Sequence, residues 1–590
     1  MSEVAARIAA VRRPAPKPAS VAAVGLMVIL LMLGIVSFAG LGFTWEAMVE
    51  SLAKVGPFMQ RATPFVWPGF AFDPATRTVV FDSWSGIWEF LGSTVMTLGI
   101  VICGTYLSAV ISIPVAYWGA RNTTPHPALL AVARFIGVLA RAIPAVAFAS
   151  IFVFVFALGP LPGVLAFMFH SVGMISKMYS DAIEQIDEGP RLALRSTGAT
   201  KAQEFWGGVV PQALPAWIAV GLHRADINLR ETVILGYVGV AGLGYDLSNA
   251  IHALNYRRAI PLALAIVVLC ILFEIVSSVI RARLLGVRPA GKGIGDTLVR
   301  TATSRSSTLA RAIERPSGMD DSTSRVLAAM RQPWTRERIT STISVTLAIL
   351  VIAGSFVASQ ANWANLITFW GNLPTLLAKD NLWPPTLGIY TAQEIGESIL
   401  VTFQVAFAAT LISAVISVLV GIPAARNVAP GPIVRNTFRG ILLIIRGMPE
   451  LILAILFVII SGLGAQAGTL ALGIGGVGLL GKLIADSLEE VPGGPERAIS
   501  AVGGTRPQVF FSSTLPMSIP AFAAHLLYLL EQNVRAATVL GIVGGGGIGY
   551  YLYDSLRVSK YDQVAAFLGL IILLVLLIEF AAILLRRALK

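Results

Sequence analysis

Charged side chains are scarce: Asp, Glu, Lys and Arg make up 13% of the 590 residues, about half the roughly 25% of an ordinary soluble domain. That scarcity excludes a soluble enzyme and a disordered regulator, both of which need polar or highly charged surface. There are only two cysteines, Cys103 and Cys270, each inside an apolar run. They exclude a disulfide scaffold and read as small buried hydrophobes. The five histidines, at 126, 170, 223, 252 and 525, lack any metal-ligand spacing such as HExxH. No hydrolytic constellation accompanies them. Apolar residues, in contrast, make up 56% of the chain, and the mean hydropathy is +0.77. The composition predicts an all-α polytopic membrane protein.

The formal charge of +12 does not require a nucleic-acid partner, because the basic residues lie between and beyond the apolar runs, as the positive-inside rule places them. Arg7, Arg12, Arg13 and Lys17 precede the run from Val21 to Ala39. That run is long enough to span and lacks a convincing cleavage site, so it reads as a first helix with its N-terminus inside.

Sliding the chain by 305 positions (398 − 93) aligns residues 93–284 with 398–589 without a gap. The register matches Ala120-Arg121-Asn122 with Ala425-Arg426-Asn427, Arg134 with Arg439, Arg141 and Pro144 with Arg446 and Pro449, and Glu274 with Glu579. A chance register would not bring so many polar residues and prolines together. Each copy begins with an extra apolar run, Val21 to Ala39 and Ile339 to Ala358, followed by a stretch containing Trp67-Pro68 or Trp383-Pro384. These pairs are 316 apart (383 − 67), so the first copy has the longer external segment.

The count is about six spans per copy and about twelve in all. The expected organisation is a first repeat over 1–284, a basic cytoplasmic linker over 285–338 and a second repeat over 339–590. An even span count makes the repeats parallel, with both termini cytoplasmic.

Between the fourth and fifth spans, the copies read DAIEQIDEGPRLALRSTGATKAQEFWGGVVPQALPAW and DSLEEVPGGPERAISAVGGTRPQVFFSSTLPMSIPAF. Each has a helix-opening Pro, an amphipathic stretch broken by Gly198 or Gly503, a second polar stretch and a double-proline return to the membrane. This is a helix-turn-helix on the cytoplasmic face. It reads either as a docking element for a partner that meets both halves alike or as an ordinary helical loop.

This loop resembles the coupling motif of ABC-importer permeases, and within them the phosphonate permease family. RNTTP, RAIPA and NLRETVILGYVGVAGLGYDL in the first copy, and RGMPELILAI and LEQNVRAATVLGIVGGGGIGYYL in the second, are similar to that family over nearly all of residues 90–284 and 395–590. The resemblance implies the fold of a type I importer permease and a plasma (inner) membrane location in a bacterium. It also implies translocation of phosphonate or a related phosphorus oxyanion, phosphite or phosphate, with no catalytic residue and no cofactor in this chain. ATP and Mg would belong to two copies of a partner ATPase. A periplasmic or lipid-anchored binding protein would deliver substrate, and one chain would replace a permease dimer.

The implied ATPase contacts are Glu188, Arg191, Gly198, Ala199 and Thr200 in the first copy, and Glu496, Gly503, Gly504 and Thr505 in the second. Arg191 stands where Glu496 stands in the other copy, so the two docking surfaces are expected to differ. His223-Arg224 likewise stands where the second copy has Tyr528-Leu529.

Ionisable groups at membrane depth cost about 2.5–3.5 kcal/mol each and need a partner or a wet path. Asp226, Asn228 and Arg230, and Glu531, Asn533 and Arg535, form an acid-x-Asn-x-Arg element whose ends can pair at i, i+4. It lines the central pathway or gate, its Arg offering a fork to an oxyanion, or it is a structural ion pair. Arg134 with Arg141, and Arg439 with Arg446, would stack on one helix face about 10 Å apart, to attract an anion or to snorkel. An ion-coupled secondary transporter working through Asp226 or Glu531 is the alternative function. Gly476 to Lys482 fits GxxxxGK but has Leu483 in place of Ser or Thr, and the Gly544 to Gly549 run lacks a strand-helix setting. Both are expected to be close helix contacts or irregular backbone rather than nucleotide sites.

Overall fold

Long apolar runs in a chain that must satisfy every backbone group internally can only be helices, and helices carry nearly all of this fold. The computed structural model describes residues 18–284, 336–378, 383–541 and 544–588. The basic linker therefore lies almost wholly outside the described residues.

The first half runs α1 (Pro18–Gly40), α2 (Trp45–Ala62), a hairpin of β1 (Phe70–Asp73) and β2 (Thr78–Phe81), and α3 (Trp84–Gly119). It continues through α4 (Pro127–Ala142), α5 (Ala145–Phe156), α6 (Pro160–Glu184), α7 (Glu188–Ser196), α8 (Lys201–Glu204), α9 (Val210–Tyr237), α10 (Leu243–His252) and α11 (Tyr256–Leu284). The hairpin, with Phe70 paired to Phe81, occupies the segment before the second span that is longer in this half.

The second half runs α12 (Arg336–Ala358), α13 (Asn365–Leu377), α14 (Ala392–Ala424), α15 (Pro432–Gly447) and α16 (Glu450–Ser461). There follow α17 (Ala465–Glu489), α18 (Gly493–Ala501), α19 (Arg506–Val509), α20 (Leu515–Leu540), α21 (Ile548–Arg557) and α22 (Tyr561–Ala588). Helix α12 starts at Arg336, three residues inside the expected linker.

Among the described residues, nine helices are long and apolar enough to cross a membrane, two further pairs qualify as bent spans, and Thr342–Ala358 is a shorter apolar helix. The third span of each half is the bent one, turning by 84° between α4 and α5 and by 83° between α15 and α16. Pro144 and Pro449 cause the break. A proline drives the residue before it out of helical geometry, and Ile143 (φ −87°, ψ 118°) and Met448 (φ −82°, ψ 122°) are both extended.

The halves exchange elements. Helix α1 packs on α14 and α20 of the second half, α2 on α16, α12 on α3 of the first half, and α13 on α5. Leu26 and Leu30 belong to the second half's core, and Phe156 stacks on Phe369 with ring centroids 5.9 Å apart. In lipid, apolar area alone does not bring helices together, so close contact depends on small residues. A Cβ at Gly34 would lie 2.8 Å from Leu411 Cβ, and one at Gly99 would lie 2.4 Å from the Ser359 nitrogen. Cys103 and Cys270 are fully buried, as expected.

Candidate functional site

The two loops between the fourth and fifth spans fold alike. In the first, Asp187 caps α7 by accepting from the Gly189 N–H. At its end Gly198 takes φ +82°, and Ala199 N–H bonds back to Leu194 O at 3.3 Å. Thr200 then opens α8 in a capping box with Gln203, whose Oε1 accepts from Thr200 N–H at 2.9 Å. In the second, Gly503 takes φ +85°, Gly504 N–H reaches Ile499 O at 3.0 Å, and Thr505 forms the same box with Gln508. A left-handed turn with a backward bond followed by a capping box is a rigid corner. Beside each corner an aromatic side chain stands largely exposed, Trp206 in one and Phe511 in the other.

The loops differ where the sequences differ. Arg191 is buried, contacting Glu204 at 2.7 Å and Glu188 at 3.1 Å. Its counterpart Glu496 instead accepts from Thr514 at 2.5 Å and from Asn427 at 3.3 Å. In the first half Asn122, the counterpart of Asn427, reaches Glu188 at 2.9 Å, so the anchoring acid has moved within the helix.

Between the halves, a cavity of about 410 Å³ lies against α9 and α20 and the two helix breaks. Arg141, Arg230, Glu531, Asn533, Arg535 and Arg446 line it. Asp226 and Asn228 do not; they sit buried behind its wall. Asp226 pairs with Arg230, and Glu531 with Arg535. Asn228 donates to Thr105 Oγ1 at 2.8 Å, and Asn533 to Thr410 Oγ1 at 2.9 Å. Arg141 pairs across the halves with Glu579, and Arg446 with Glu274 at 3.3 Å.

Arg134 and Arg439 point elsewhere. Each holds the acid at the end of the following span, Glu184 at 3.2 Å and Glu489 at 2.7 Å, and each Nε donates to a carbonyl ending the preceding long helix, Gly119 or Ala424. They clamp helix ends rather than face the cavity. His170, Arg224, Glu231 and Glu450 line the cavity and escaped the sequence reading as site residues, as did His223, whose counterpart is Tyr528. The available signal for the first four was an ionisable group inside an apolar run with no counterpart in the other half.

The glycine decoys are helix contacts and tight turns. Gly476 to Lys482 lies within α17, where a Cβ at Gly478 would approach the Arg446 nitrogen to 2.7 Å. A Cβ at Gly549 would come within 1.9 Å of Thr538 O. Among the described residues no cluster of His, Cys, Asp and Glu could hold a metal.

Residues 112–286 and 417–590 each match the family described as the binding-protein-dependent transport system inner membrane component. A phosphate-import permease protein of Mycolicibacterium smegmatis is 38% identical over 82% of this chain and 83% of its own length, so that similarity extends across both halves. A phosphite transport system permease protein of Stutzerimonas stutzeri is 43% identical over 32% of this chain and 69% of its own length. A putative cryptic phosphonate transport system permease protein of Escherichia coli is 36% identical over 20% of this chain and 96% of its own length.

Proposed function

The chain belongs to the binding-protein-dependent transport system inner membrane component family, and from that premise we propose that its two halves form the whole pore of an ATP-driven importer for a phosphorus oxyanion. It is a multi-pass permease subunit, and ATP hydrolysis belongs to its partners. The relatives named for phosphate, phosphite and phosphonate transport support the substrate class: a tetrahedral phosphorus centre bearing negatively charged oxygens.

The observation that carries the reading is the pair of matching corners at Gly198 and Gly503, related by the same 305-residue offset (503 − 198) as the rest of the repeat. Two docking loops with the same corner, one in each half, suit two copies of one ATPase subunit. On this reading Glu188, Arg191, Gly198, Ala199 and Thr200 meet one copy, and Glu496, Gly503, Gly504 and Thr505 the other. Closure of the ATPases on ATP drives the loops together and opens the cavity toward a docked periplasmic or lipid-anchored binding protein, and hydrolysis returns it. The loops, both termini and the linker then lie on the cytoplasmic side. The cavity arginines, held by carboxylates, form the wall past which the anion moves. An ion-driven carrier has no use for duplicated docking corners.

The test is ATP hydrolysis by the chain in nanodiscs, co-expressed with its ATPase, with and without binding protein loaded with phosphate or methylphosphonate. Stimulation by the loaded binding protein is expected, and Gly198→Val with Gly503→Val should abolish it, since a β-branched residue is strained at positive φ. Uptake that follows a proton or sodium gradient, with no ATPase co-purifying, would overturn the reading.

A further inference from the structure

We propose that the cavity contains a single, asymmetric substrate-contact site built on the Arg224 guanidinium, which takes the oxyanion in transit in exchange for Glu231. The proposal rests on the importer reading.

Of the five arginines lining the cavity, four form two repeat-related pairs, Arg141 with Arg446 and Arg230 with Arg535. All four are committed to carboxylates, Glu579, Glu274, Asp226 and Glu531 respectively. They form a frame that both halves share. Arg224 is the exception, because Leu529 stands at its position in the second half.

Arg224 is oriented but not saturated. Its side chain is buried and its Nε donates to Ser171 Oγ at 2.9 Å. Ser171 is itself held by Asn228 at 3.0 Å, and Asn228 by Thr105. That chain fixes the guanidinium plane. The two terminal nitrogens are held loosely: Nη1 meets Met174 Sδ at 3.7 Å, and Nη2 meets the Glu231 oxygens at 3.4 and 3.5 Å. A charge-assisted N–H···O bond is short, about 2.7–2.9 Å. A buried guanidinium whose fork is aimed and weakly partnered gains from a ligand that makes short, paired bonds, and a tetrahedral oxyanion offers them. Glu231 is the built-in competitor that recovers the fork afterwards, which suits passage rather than retention.

The asymmetry points to one ligand. Glu231 has Ala536 opposite it in the repeat, and His170 has Gly475. From the other half come Tyr528 and Gln532, where the first half has His223 and Ile227. Divergence between duplicated halves could fall anywhere, yet these substitutions meet in one cavity. The fork would take the oxygens common to phosphate, phosphite and phosphonates. Neutral donors opposite would tolerate the differing fourth substituent.

The experiment uses the full chain with its ATPase subunits and binding protein in proteoliposomes, measuring uptake of labelled phosphate and phosphite. Arg224→Leu with Glu231→Ala installs the second half's residues and removes both charges together, so no lone charge is stranded. Uptake of both anions should fall about tenfold or more, the worth of one charged hydrogen bond, while ATP consumed per anion imported rises. Arg224→Lys, which keeps the charge without the fork, should recover only part of the rate. Arg224→Gln is read by the same criterion if the double variant fails to assemble. Uptake by the assembled variant within about twofold of the unaltered chain, less than one such bond is worth, would overturn the site and leave the importer reading intact. Absence of ATP- and binding-protein-dependent uptake in the unaltered chain would overturn the importer reading, and this site with it.

Discussion

Arg141 and Glu579 stand 438 residues apart in the chain and form an ion pair between its two halves. Arg446 does the same for Glu274 at 3.3 Å, so the helix breaks are tied reciprocally to the last span of the opposite half. Removing one partner from a pair this buried strands the other. The usual cost of about 3–5 kcal/mol must be discounted here, because the Arg141 side chain keeps 25% of its surface exposed. Glu579→Met should therefore destabilise by about 1–3 kcal/mol. Adding Arg141→Met should restore part of the loss. Thermal unfolding in detergent gives the cycle: a coupling of about 1 kcal/mol or more for Arg141 with Glu579, and near-additivity for the non-partners Arg141 and Glu274, is expected.

The two helix-turn-helix loops should respond unequally to equivalent changes. Arg191→Ala leaves the buried Glu204 with the exposed Lys201 at 3.3 Å, at a cost of about 2 kcal/mol to the first loop. Glu496→Ala removes bonds from Thr514 and Asn427, at about 1 kcal/mol. Hydrogen exchange should speed up over 188–204 more than over 493–509. Equal acceleration in both loops would show that the buried arginine does not brace the first corner.

Tyr390, outside the spans, donates its O–H to Asp554, and that hydrogen bond, followed by burial and the carboxylate's charge, pushes the phenol up to about 12. A raised folded pKa favours the neutral form. The bond's contribution is therefore fully present below the ordinary phenol value of about 10 and is lost as pH rises through about 12. Tyr390→Phe should cost about 1 kcal/mol, unchanged from pH 7 to 9, with the difference from the unaltered chain shrinking above pH 10. No difference between Tyr390→Phe and the unaltered chain at pH 7 would mean that packing of the ring, which phenylalanine keeps, is what Tyr390 contributes, and not the hydrogen bond.

Much of this arrangement is legible in the chain because the 305-residue register carries contacts as well as letters. Asn228 and Asn533 hold Thr105 and Thr410, and Arg134 and Arg439 hold Glu184 and Glu489. The helix-turn-helix loops are legible because Gly198, Thr200 and their counterparts act locally. Choice of partner is not. Glu274 and Glu579 match each other in the register, but nothing local tells Arg141 to take Glu579 rather than the acid of its own half. Arg224 stood out only as a mismatch with Leu529: Glu231 lies two turns along the same helix, but Ser171, which orients the guanidinium, arrives from α6, 53 residues away.

The exchanged helices were equally hidden, because an apolar run such as Val21 to Ala39 is uniformly suited to lipid and carries no address. Their placement has a consequence for chain integrity. Helix α1 packs on α14 and α20, and α12 on α3, so each half holds the other's first helix by contacts such as Gly34 against Leu411 and Gly99 against Ser359. The covalent connection between halves is then not what keeps them together. Cutting the gene so that residues 1–310 and 311–590 are made as separate chains should give halves that co-purify from the membrane. Deleting residues 1–40 from the first half should sharply weaken that association, because α14 and α20 lose the helix that covers them. If the halves separate when α1 is present, or stay equally tight without it, the exchange of first helices does not hold the assembly together.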